Sequence, residues 1–565
     1  MKGAALYICH CGHNIAATVD VADVAKSFEG APGVSVVRHY PYLCSRPGQE
    51  LIKNDLKAGG ISRVVIAACS PRMHEKTFRK AVESEGLNPY LFNHVNIREQ
   101  CSWVHPERDE ATAKAKELLR GGLERVRLQE PLYGSTAEVT PRALVVGGGP
   151  AGLSATAQLA GQGLEVVLCE REASLGGRAA RVGRSFTEGG EVGPWLDKLI
   201  EKVYESDLVE VMTGAEVVGL EGAPGSFSVT MKTDSGQETR ETGAVIIATG
   251  SSLYRPDDPE EGRPELGFGE DKRIITQEDF EGLLRGGELI AVDGAPVDAV
   301  AFLQCIGSRD KSAKGSHCSR ICCMTSVRQA EDFKTRYPKA RVDVIYMDLR
   351  AYARGAEEAY EAAGRRGVVF RRGSASEIFK DGEERVVAFE DTLNGEAARL
   401  KTDLVVLACG ARPREDVREV SRLFGAAQGP DGFFQEAHPK LRPSETASDG
   451  VYLAGACQAP KTIDEAVTSG RAAAAKAALP LLRGWTPIDP VVAEIDDLAC
   501  VGCGLCAAAC PFGAISPMTH RAVMRVNPAL CKGCGACSAA CPSKAATLKH
   551  FRPDQLLAEV AAFSS

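Results

Sequence analysis

Two runs of cysteines near the C-terminal end constrain this 565-residue chain more than any other feature. Each run has four cysteines separated by two, two and three residues, with a proline directly after the fourth. Three thiolates at this spacing wrap around one 4Fe–4S cube, and in two-cluster proteins the fourth ligand comes from the other run. The spacing predicts one cube on Cys500, Cys503, Cys506 and Cys541, and a second on Cys531, Cys534, Cys537 and Cys510.

The doubled run resembles the two-cluster bacterial ferredoxins, and it predicts an α+β ferredoxin domain over residues 486–550. Structural zinc sites are the alternative, which the proline after each fourth cysteine disfavours. A module of this kind passes single electrons between sites and has no substrate pocket of its own.

The composition excludes several classes of protein. Lys and Arg number 67 against 75 Asp and Glu, and the net charge of -8 argues against general nucleic-acid binding. No apolar run approaches the roughly 18–20 residues of a membrane span, and the first residues lack the apolar segment of a secretion signal. We therefore expect a cytoplasmic protein, in which 20 cysteines indicate metal or redox use rather than disulfides.

A glycine-rich turn near residue 147 predicts a dinucleotide site. Gly147, Gly149 and Gly152 fit the fingerprint G-x-G-x-x-G between a predicted strand and a predicted helix, and Glu170 ends the next strand. The free N–H groups of a helix N-terminus suit a pyrophosphate, and the acidic residue suits a ribose. The fingerprint alone leaves FAD and NAD open.

Three further features favour FAD. They are Gly176-Gly177-Arg178 after the acidic residue, the pair Thr249-Gly250 at the end of a third strand, and Gly455-Ala456 before a late helix. Together they resemble the thioredoxin-reductase-like flavoproteins with two dinucleotide domains, although the family has Gly-Asp where this chain has Gly455-Ala456. The resemblance implies the FAD-binding residues Gly147, Gly149, Pro150, Ala151, Gly152, Glu170, Gly176, Gly177, Arg178, Thr249, Gly250, Gly455, Ala456 and Lys461.

Lys461 precedes the late helix, whose N-terminus faces the flavin ring in that family. We expect its ammonium group to approach the flavin and tune its reduction potential. A solvated lysine at the helix cap is the alternative.

The second dinucleotide domain of that family carries its own glycine fingerprint, and this chain lacks it. After a predicted strand the sequence instead has the pattern Cys-x12-Cys-x3-Cys-Cys, formed by Cys305, Cys318, Cys322 and Cys323. Cys318 and Cys322 would share one helical face if the helix has begun. We infer an iron–sulfur cluster in place of a pyridine nucleotide; zinc and a redox-active Cys322–Cys323 dithiol are the alternatives.

The N-terminal cysteines follow the ends of four predicted strands, at 4–9, 34–40, 63–69 and 90–96. In a parallel sheet those ends lie along one edge, where open α/β domains bind ligands. A further cluster held by four of five thiols is therefore predicted, with Cys9 or Cys11 as the spare one, from the set Cys9, Cys11, Cys44, Cys69 and Cys101. Buried apolar cysteines are the alternative.

The predicted fold is α/β, with a flavoprotein core of two dinucleotide domains between the two outer modules. The predicted segments are an N-terminal α/β domain (1–135), a first FAD-binding part (141–250), an inserted Rossmann-like domain (251–410), a second FAD-binding part (411–485), the ferredoxin domain (486–550) and a C-terminal tail (551–565). Residues 130–141 read as a linker, and 251–296 as loops because they are rich in Gly, Pro and acidic residues.

The combined pattern resembles the A-type subunit of heterodisulfide reductase. The matching residues include Cys9-His-Cys11-Gly-His-Asn, Ala68-Cys69-Ser-Pro-Arg-Met-His, Arg98-Glu-Gln-Cys101-Ser-Trp, the four inserted cysteines, Ala456-Cys457-Gln-Ala-Pro-Lys461 and the ferredoxin run. Longer members carry an extra ferredoxin insertion, which is expected to be missing because no cysteine lies between Cys169 and Cys305.

The resemblance implies a cytoplasmic FAD- and iron–sulfur-containing oxidoreductase subunit with about four 4Fe–4S clusters. Its FAD would split or merge electron pairs between a low-potential ferredoxin-like chain and a partner subunit that reduces a disulfide or a related acceptor. The implied partners are heterodisulfide reductase B- and C-type subunits, ferredoxin, an electron-input subunit linked to hydrogenase, formate or NADH, and a second copy of the chain.

Three alternatives remain open from the sequence. The first is a stand-alone NAD(P)H-dependent reductase of a disulfide or of ferredoxin, which the missing second fingerprint disfavours. The second is an electron-transfer subunit of a quinone-linked complex of sulfate reduction. The third is a non-catalytic iron–sulfur assembly or binding module.

Overall fold

The computed structural model describes residues 3–185, 190–286, 290–292, 294–310 and 315–563. The chain divides into two compact units, one made of Met1–Ala137 with Pro487–Ser565 and the other of Glu138–Thr486. Two short strands, Ser135–Glu138 and Trp485–Ile488, lie where the chain passes from one unit to the other. The first of them falls within the segment expected to be a linker. Across the described ranges, no helix is both long enough and apolar enough to cross a bilayer.

The N-terminal part of the first unit is a four-stranded parallel sheet, as predicted. The strands lie in the order Val34–Tyr40, Gly3–Cys9, Ile61–Ala68, Phe92–Asn96. The two central strands are almost wholly buried, as expected for a parallel sheet covered on both faces. The helical elements are His13–Ala16, Val21–Phe28, Arg46–Ala58, Pro71–Glu83, a π-helical turn at Arg98–Ser102, and Arg108–Arg127.

The C-terminal part of the first unit consists of two small hairpins and two short helices. Ala493–Ile495 pairs with Ala546–Leu548, and Ile515–Pro517 pairs with Met524–Val526, both antiparallel. Each half also has one short helix, Leu505–Ala508 or Ala536–Ala540. The repeated cysteine spacing is thus matched by a repeated local fold.

The segment expected to be a C-terminal tail is a helix. Pro553–Ala561 packs against Arg108–Arg127 of the N-terminal part. Gly121 leaves room for it, since a Cβ there would lie 2.7 Å from Cε1 of Phe563. The sequence predicted only a tail here because a nine-residue helix is too short to stand out. Residues 564–565 lie outside the described residues.

The second unit begins with a five-stranded parallel sheet. Its strands lie in the order Val451–Leu453, Ala244–Ile247, Arg142–Val146, Glu165–Cys169, Val209–Met212. An antiparallel meander of Glu216–Ala223, Ser226–Thr233 and Gly236–Thr242 accompanies it. The helical elements of this part are Pro150–Ala160, Gly177–Arg181, Val192–Tyr204, Val417–Phe424, Gly455–Cys457 and Ile463–Arg483.

The inserted part of the second unit has a seven-stranded mixed sheet. The order is Ile274–Thr276, Leu404–Cys409, Ala299–Ile306, Arg341–Tyr346, Val368–Asp381, Glu384–Asp391, Glu396–Thr402. Its helical elements are Pro264–Leu266, Gln277–Arg285, Cys322–Arg336 and Ala356–Arg365. Two short antiparallel strand pairs are also present: Ser252–Leu253 pairs with Ala411–Arg412, and Ala291–Val292 pairs with Ala295–Pro296.

The expectation that 251–296 consists of loops was wrong. The segment contains a sheet strand and the helix Gln277–Arg285, which a capping box of Thr276 and Asp279 begins. The helix is recognisable by that cap and by its buried apolar residues, but flanking glycines and acidic residues hide it in the composition. Residues 287–289 and 293 of this segment lie outside the described residues.

Candidate functional site

A cavity of about 520 Å³ lies within the second unit, between the glycine-rich turn and the inserted part. Most of the residues predicted to bind FAD line it: Gly147, Gly149, Pro150, Ala151, Glu170, Gly177, Arg178, Thr249, Gly250, Ala456 and Lys461. The other three shape its backbone. A Cβ at Gly152 would lie 1.8 Å from the Gly147 carbonyl oxygen, one at Gly455 would lie 2.6 Å from Cβ of Ala151, and Gly176 has φ +111°.

The turn at Gly149 leaves room for a bound phosphate. Gly149 is the N-cap of helix Pro150–Ala160, and a Cβ built there would meet no protein atom within 4 Å. The carboxylate of buried Glu170 accepts hydrogen bonds from the Gly148 N–H at 2.6 Å and the Glu172 N–H at 2.8 Å, which fixes the turn. Two features of this turn fit FAD: the open space beside a helix N-terminus, and the acidic residue at the end of the next strand.

Lys461 also lines this cavity, just before the helix Ile463–Arg483. Its Nζ donates to Oε1 of Gln458 at 3.2 Å, and burial lowers the pKa of the ammonium group. Thr462 and Ile463, from the start of the helix, line the same cavity. The structure therefore places a half-buried cation and a helix N-terminus together at the cavity.

The four inserted cysteines are neighbours. Cys305 is the last residue but one of strand Ala299–Ile306 and has φ +63°, and Cys318 lies in the loop that leads to helix Cys322–Arg336. Burial raises the pKa of Cys322 well above its usual value, and charge repulsion from Cys323, Cys305 and Cys318 adds to this. Cys318 and Cys322 do not share a helical face, because the condition for it is not met: the helix begins only at Cys322. The loop conformation, rather than helical periodicity, brings Cys318 to the group.

This cysteine group shares a wall with the cavity. Cys409 and Ile321 line the cavity, and the Cys322 thiol donates to the Cys409 carbonyl oxygen at 3.8 Å. Arg178 also lines the cavity, and its guanidinium lies within electrostatic reach of the Cys322 sulfur. Only a short path through the protein separates the thiols from the cavity.

Arg320 is a second link that the sequence reasoning missed. Its backbone N–H donates to Sγ of Cys318 at 3.4 Å, while its guanidinium donates to Pro460 O at 3.3 Å and to Glu465 at 2.6 Å. It thereby ties the cysteine loop to the start of the helix beside Lys461. Its φ of +63°, rare for a residue with a side chain, has no signal in a single sequence.

Four of the five N-terminal cysteines converge at the carboxyl edge of the first sheet. Burial raises the pKa of Cys9, and the Cys11 and Cys44 thiolates raise it further. Burial likewise raises the pKa of Cys69 to about 12, with Cys11 and Cys9 adding to the shift. The strand order reverses between the strands that end near Cys9 and Cys69, so the group lies where open α/β sheets bind ligands.

Cys101 does not join this group, which corrects the set of five. Its fully buried Sγ donates to the Ala111 carbonyl oxygen at 3.2 Å, inside the core between the sheet and helix Arg108–Arg127. Burial raises its pKa to about 11, and the charge that opposes the shift belongs to Lys114. The π-helical turn that follows the fourth strand rotates Cys101 inward. Placing Cys101 at the edge of the sheet because it follows the end of a strand was therefore incorrect.

The same turn places Arg98 at the edge instead. Its Nη1 donates to Sγ of Cys11 at 3.3 Å. The sequence reasoning missed Arg98, although it follows the fourth strand directly and could have been found by the same strand-end argument.

The ferredoxin cysteines lie in two groups that mix the runs. Burial raises the pKa of the Cys506 thiol, and the nearby Cys500 and Cys541 thiolates raise it further. Burial also raises the pKa of the Cys537 thiol, and the thiolates that raise it further are Cys531, Cys510 and Cys534. The fourth cysteine of each run is therefore beside the other run. A small cavity brings together Cys500, Cys503, Cys506 and Cys541.

Backbone N–H groups point at these sulfurs. Met524 and Ala546 donate to Cys500 and Cys541 at 3.5 Å, and Ala493 and Ala514 donate to Cys531 and Cys510 at 3.4 Å. Donors to sulfur stabilise bound thiolates, and both thiol groups fit an iron–sulfur cube.

The remaining three cysteines are buried, and two of them, Cys169 and Cys409, also line the cavity. Cys169 and Cys409 are buried, as expected, and Cys457, which the sequence left ambiguous, is buried with its Sγ donating to Ile247 O at 3.2 Å. Among the residues that the structure describes, no three His, Cys, Asp or Glu side chains are grouped as ligands of a single metal ion.

Comparison with known proteins matches two family models. Residues 141–473 match the pyridine nucleotide-disulphide oxidoreductase model, and residues 499–545 match the 4Fe-4S dicluster domain model. Among solved structures, thioredoxin reductase from T. acidophilum aligns with 61% of this chain and 98% of its own, at 19% identity and a TM-score of 0.42.

Curated relatives cover nearly the whole chain. The second iron-sulfur A-type subunit of the CoB--CoM heterodisulfide reductase of Methanopyrus kandleri is 39% identical, with 90% of each chain covered. The A-type subunit of the H(2):CoB-CoM heterodisulfide,ferredoxin reductase of Methanothermobacter marburgensis is 37% identical, with 99% of this chain and 96% of that one covered. The latter alignment runs over 650 positions against 565 residues here, so that relative has insertions that this chain lacks.

These matches, together with a flavoprotein core and a dicluster module in one chain, show that the chain belongs to the oxidoreductase family formed by the A-type subunits of heterodisulfide reductases.

Proposed function

We propose that this chain is the FAD- and iron–sulfur-containing electron-transfer subunit of a heterodisulfide-reductase-type complex. Its electrons would be exchanged between a low-potential ferredoxin-like chain and a partner subunit that reduces a disulfide or a related acceptor. The names of two relatives include ferredoxin and CoB-CoM heterodisulfide, and a third adds formate. The expected partners are B- and C-type subunits, ferredoxin and an electron-input subunit linked to hydrogenase, formate or NADH.

One observation carries the proposal: the four inserted cysteines share a wall with the flavin cavity. The Cys322 thiol contacts the carbonyl oxygen of Cys409, and Cys409 lines that cavity. A chain built to take hydride from a pyridine nucleotide needs a nucleotide site at this position. Here the position holds thiols suited to single-electron exchange.

The protein's residues would hold the cofactors in the following way. The N-terminus of helix Pro150–Ala160 would bind the FAD pyrophosphate, and Lys461 would lie near the ring and favour its anionic reduced form. FAD supplies the chemistry that can divide an electron pair into single electrons. Ile321 and Cys409 line the cavity on the side of the inserted thiols.

Four clusters are proposed. Two lie in the ferredoxin part, one on the inserted group of Cys305, Cys318, Cys322 and Cys323, and one on the N-terminal group of Cys9, Cys11, Cys44 and Cys69. Anaerobic iron analysis of the full chain should give about sixteen irons per chain. About eight irons would restrict the proposal to the ferredoxin part.

The decisive experiment is a paired variant with a matched control. Cys318→Ala with Cys322→Ala should stop flavin reduction by reduced ferredoxin while FAD stays bound, because only the inserted cluster is removed. Cys101→Ala, which removes a buried core thiol that lies outside the cavity and outside every thiol group, should leave the rate unchanged. Simultaneous loss of FAD in the paired variant would assign the cysteines a structural role.

NADH or NADPH added to the purified chain without partners should leave the flavin absorbance unchanged. Rapid bleaching by either would contradict the proposal and favour a stand-alone reductase.

A further inference from the structure

Arg98 lies against the N-terminal cysteine group and contacts a sulfur directly. Its guanidinium donates to Sγ of Cys11 at 3.3 Å and to Sδ of Met73 at 3.3 Å. Its side chain is only 13% exposed, and it stacks over the Trp103 ring at 4.9 Å from the ring centroid. The positive charge is therefore held in place and largely shielded from solvent.

The local backbone fixes this position. Arg98 begins the π-helical turn Arg98–Ser102, and Oδ1 of Asn96 accepts from the N–H groups of both Arg98 and Glu99 at 3.1 Å. π-Helical turns often occur at functional sites, where they redirect a side chain. Here the turn sends Cys101 into the core and Arg98 to the thiols.

Glu99 partly balances the arginine. Its carboxylate accepts from Nε of Arg98 at 3.1 Å and from Nη2 at 2.6 Å, so this anion lies directly beside the cation that contacts the Cys11 sulfur. The charge at the sulfurs is therefore that of a cation and an adjacent anion, both of known position.

We infer that Arg98 sets the reduction potential of the N-terminal cluster, raising it by its charge and by its hydrogen bond to the Cys11 sulfur. The inference rests on the proposed cluster at Cys9, Cys11, Cys44 and Cys69. Reduction adds one negative charge to a cluster, and both net charge and hydrogen bonds to sulfur determine its potential. Arg98 is a positioning residue in this sense: it acts through the cluster ligand.

The test is a redox titration of the full chain under anaerobic conditions, followed by electron paramagnetic resonance. The N-terminal cluster signal is identified as the one lost in the Cys44→Ser, Cys69→Ser double variant. Arg98→Ala should shift the one-electron reduction equilibrium of this cluster about tenfold, which lowers the midpoint potential of the cluster by about 59 mV. Arg98→Lys should retain part of the wild-type value.

Glu99→Gln supplies a shift of opposite sign. Removing this anion should raise the midpoint potential, which a merely structural role of the pair would not produce. Arg108→Ala is the matched control, because Arg108 is an exposed arginine of the same domain that pairs with Asp20. It should leave the potential unchanged.

Each failure has its own signature. If the double cysteine variant loses no iron relative to wild type, the N-terminal cluster itself is refuted, and the inference with it. If the cluster is present and Arg98→Ala leaves its potential unchanged, the cluster proposal stands and the role of Arg98 is refuted. If both Arg98→Ala and Arg98→Lys lose about four irons, Arg98 serves assembly and the inference is overturned.

Discussion

Gly149 shows how a single residue decides cofactor binding. Its φ of -79° is open to any residue, and a Cβ there meets no protein atom, so a side chain would fold normally and occupy the phosphate space. Gly149→Leu should weaken FAD affinity at least about tenfold, equal to about 1.4 kcal/mol of binding free energy, measured as the flavin-to-protein absorbance ratio at increasing FAD concentrations.

Gly193→Leu is the matched control for that substitution. A Cβ at Gly193 also meets no atom within 4 Å, and Gly193 does not line the cavity. Retained flavin in Gly149→Leu, or equal loss in both variants, would refute the placement of the pyrophosphate.

Lys461 gives a second prediction at the residue scale. Lys461→Met should lower the flavin midpoint potential while FAD stays bound, because a cation beside the ring favours the reduced anion. A tenfold change in the reduction equilibrium corresponds to about 30 mV for two electrons. Lys476→Met, an exposed lysine on the same helix, should leave the potential unchanged. An unshifted potential in Lys461→Met would favour a solvated cap lysine.

Single residues differ in how well their roles can be predicted from the sequence. The glycines of the FAD turn could be predicted because their lack of a side chain is the functional property, and their spacing follows from one local turn. Cys101 was misplaced and Arg98 missed because a π-helical turn, which has no periodic signal, decides which of them faces the edge.

Two helices beside the cavity are held together by a buried ion pair. Arg328 of helix Cys322–Arg336 pairs with Glu281 of helix Gln277–Arg285, and their side chains are 8% and 5% exposed. Glu281→Ala should destabilise the protein by about 1.5–3 kcal/mol, because Arg328 loses a buried charge-assisted hydrogen bond and keeps only the Asp332 carboxylate as its partner. Thermal unfolding followed by circular dichroism would measure the effect as a lower midpoint temperature.

The exposed pair Glu361–Arg365 provides the comparison, with side chains 55% and 69% exposed. Glu361→Ala should cost less than about 1 kcal/mol, because exposed pairs contribute little. Similar losses in both variants would contradict the role assigned to burial.

The elements that the sequence predicted best are those with a strong hydrophobic pattern. The four N-terminal strands differ from prediction by at most two residues at either end, because continuous apolar runs flanked by turns identify buried parallel strands. Helix Gln277–Arg285 was missed because its cap and apolar face are embedded in a segment whose composition is typical of loops.

At the scale of the whole molecule, the sequence predicted the order of modules but not their grouping. The cysteine spacing identified the ferredoxin part, yet no local pattern indicates that it belongs to one compact unit with residues 1–137. The contacts that join them are separated by more than four hundred residues in sequence, as between Arg125 and Glu559. Such pairings depend on the folded surfaces of both parts.

The last prediction concerns the C-terminal helix Pro553–Ala561, which connects the ferredoxin part to the N-terminal part within their unit. Arg125 donates to the Glu559 carboxylate at 3.1 Å and lies 4.2 Å from the Phe551 ring centroid, and Phe563 fills the space above Gly121. Gly121→Leu should displace the helix, since even a Cβ there comes within 2.7 Å of Phe563. Limited proteolysis should then cleave residues 551–563 at least about tenfold faster, whereas Ala113→Leu, on the exposed face of the same long helix, should not change the rate. Equal rates in the wild type and Gly121→Leu would show that the helix is held by contacts other than these.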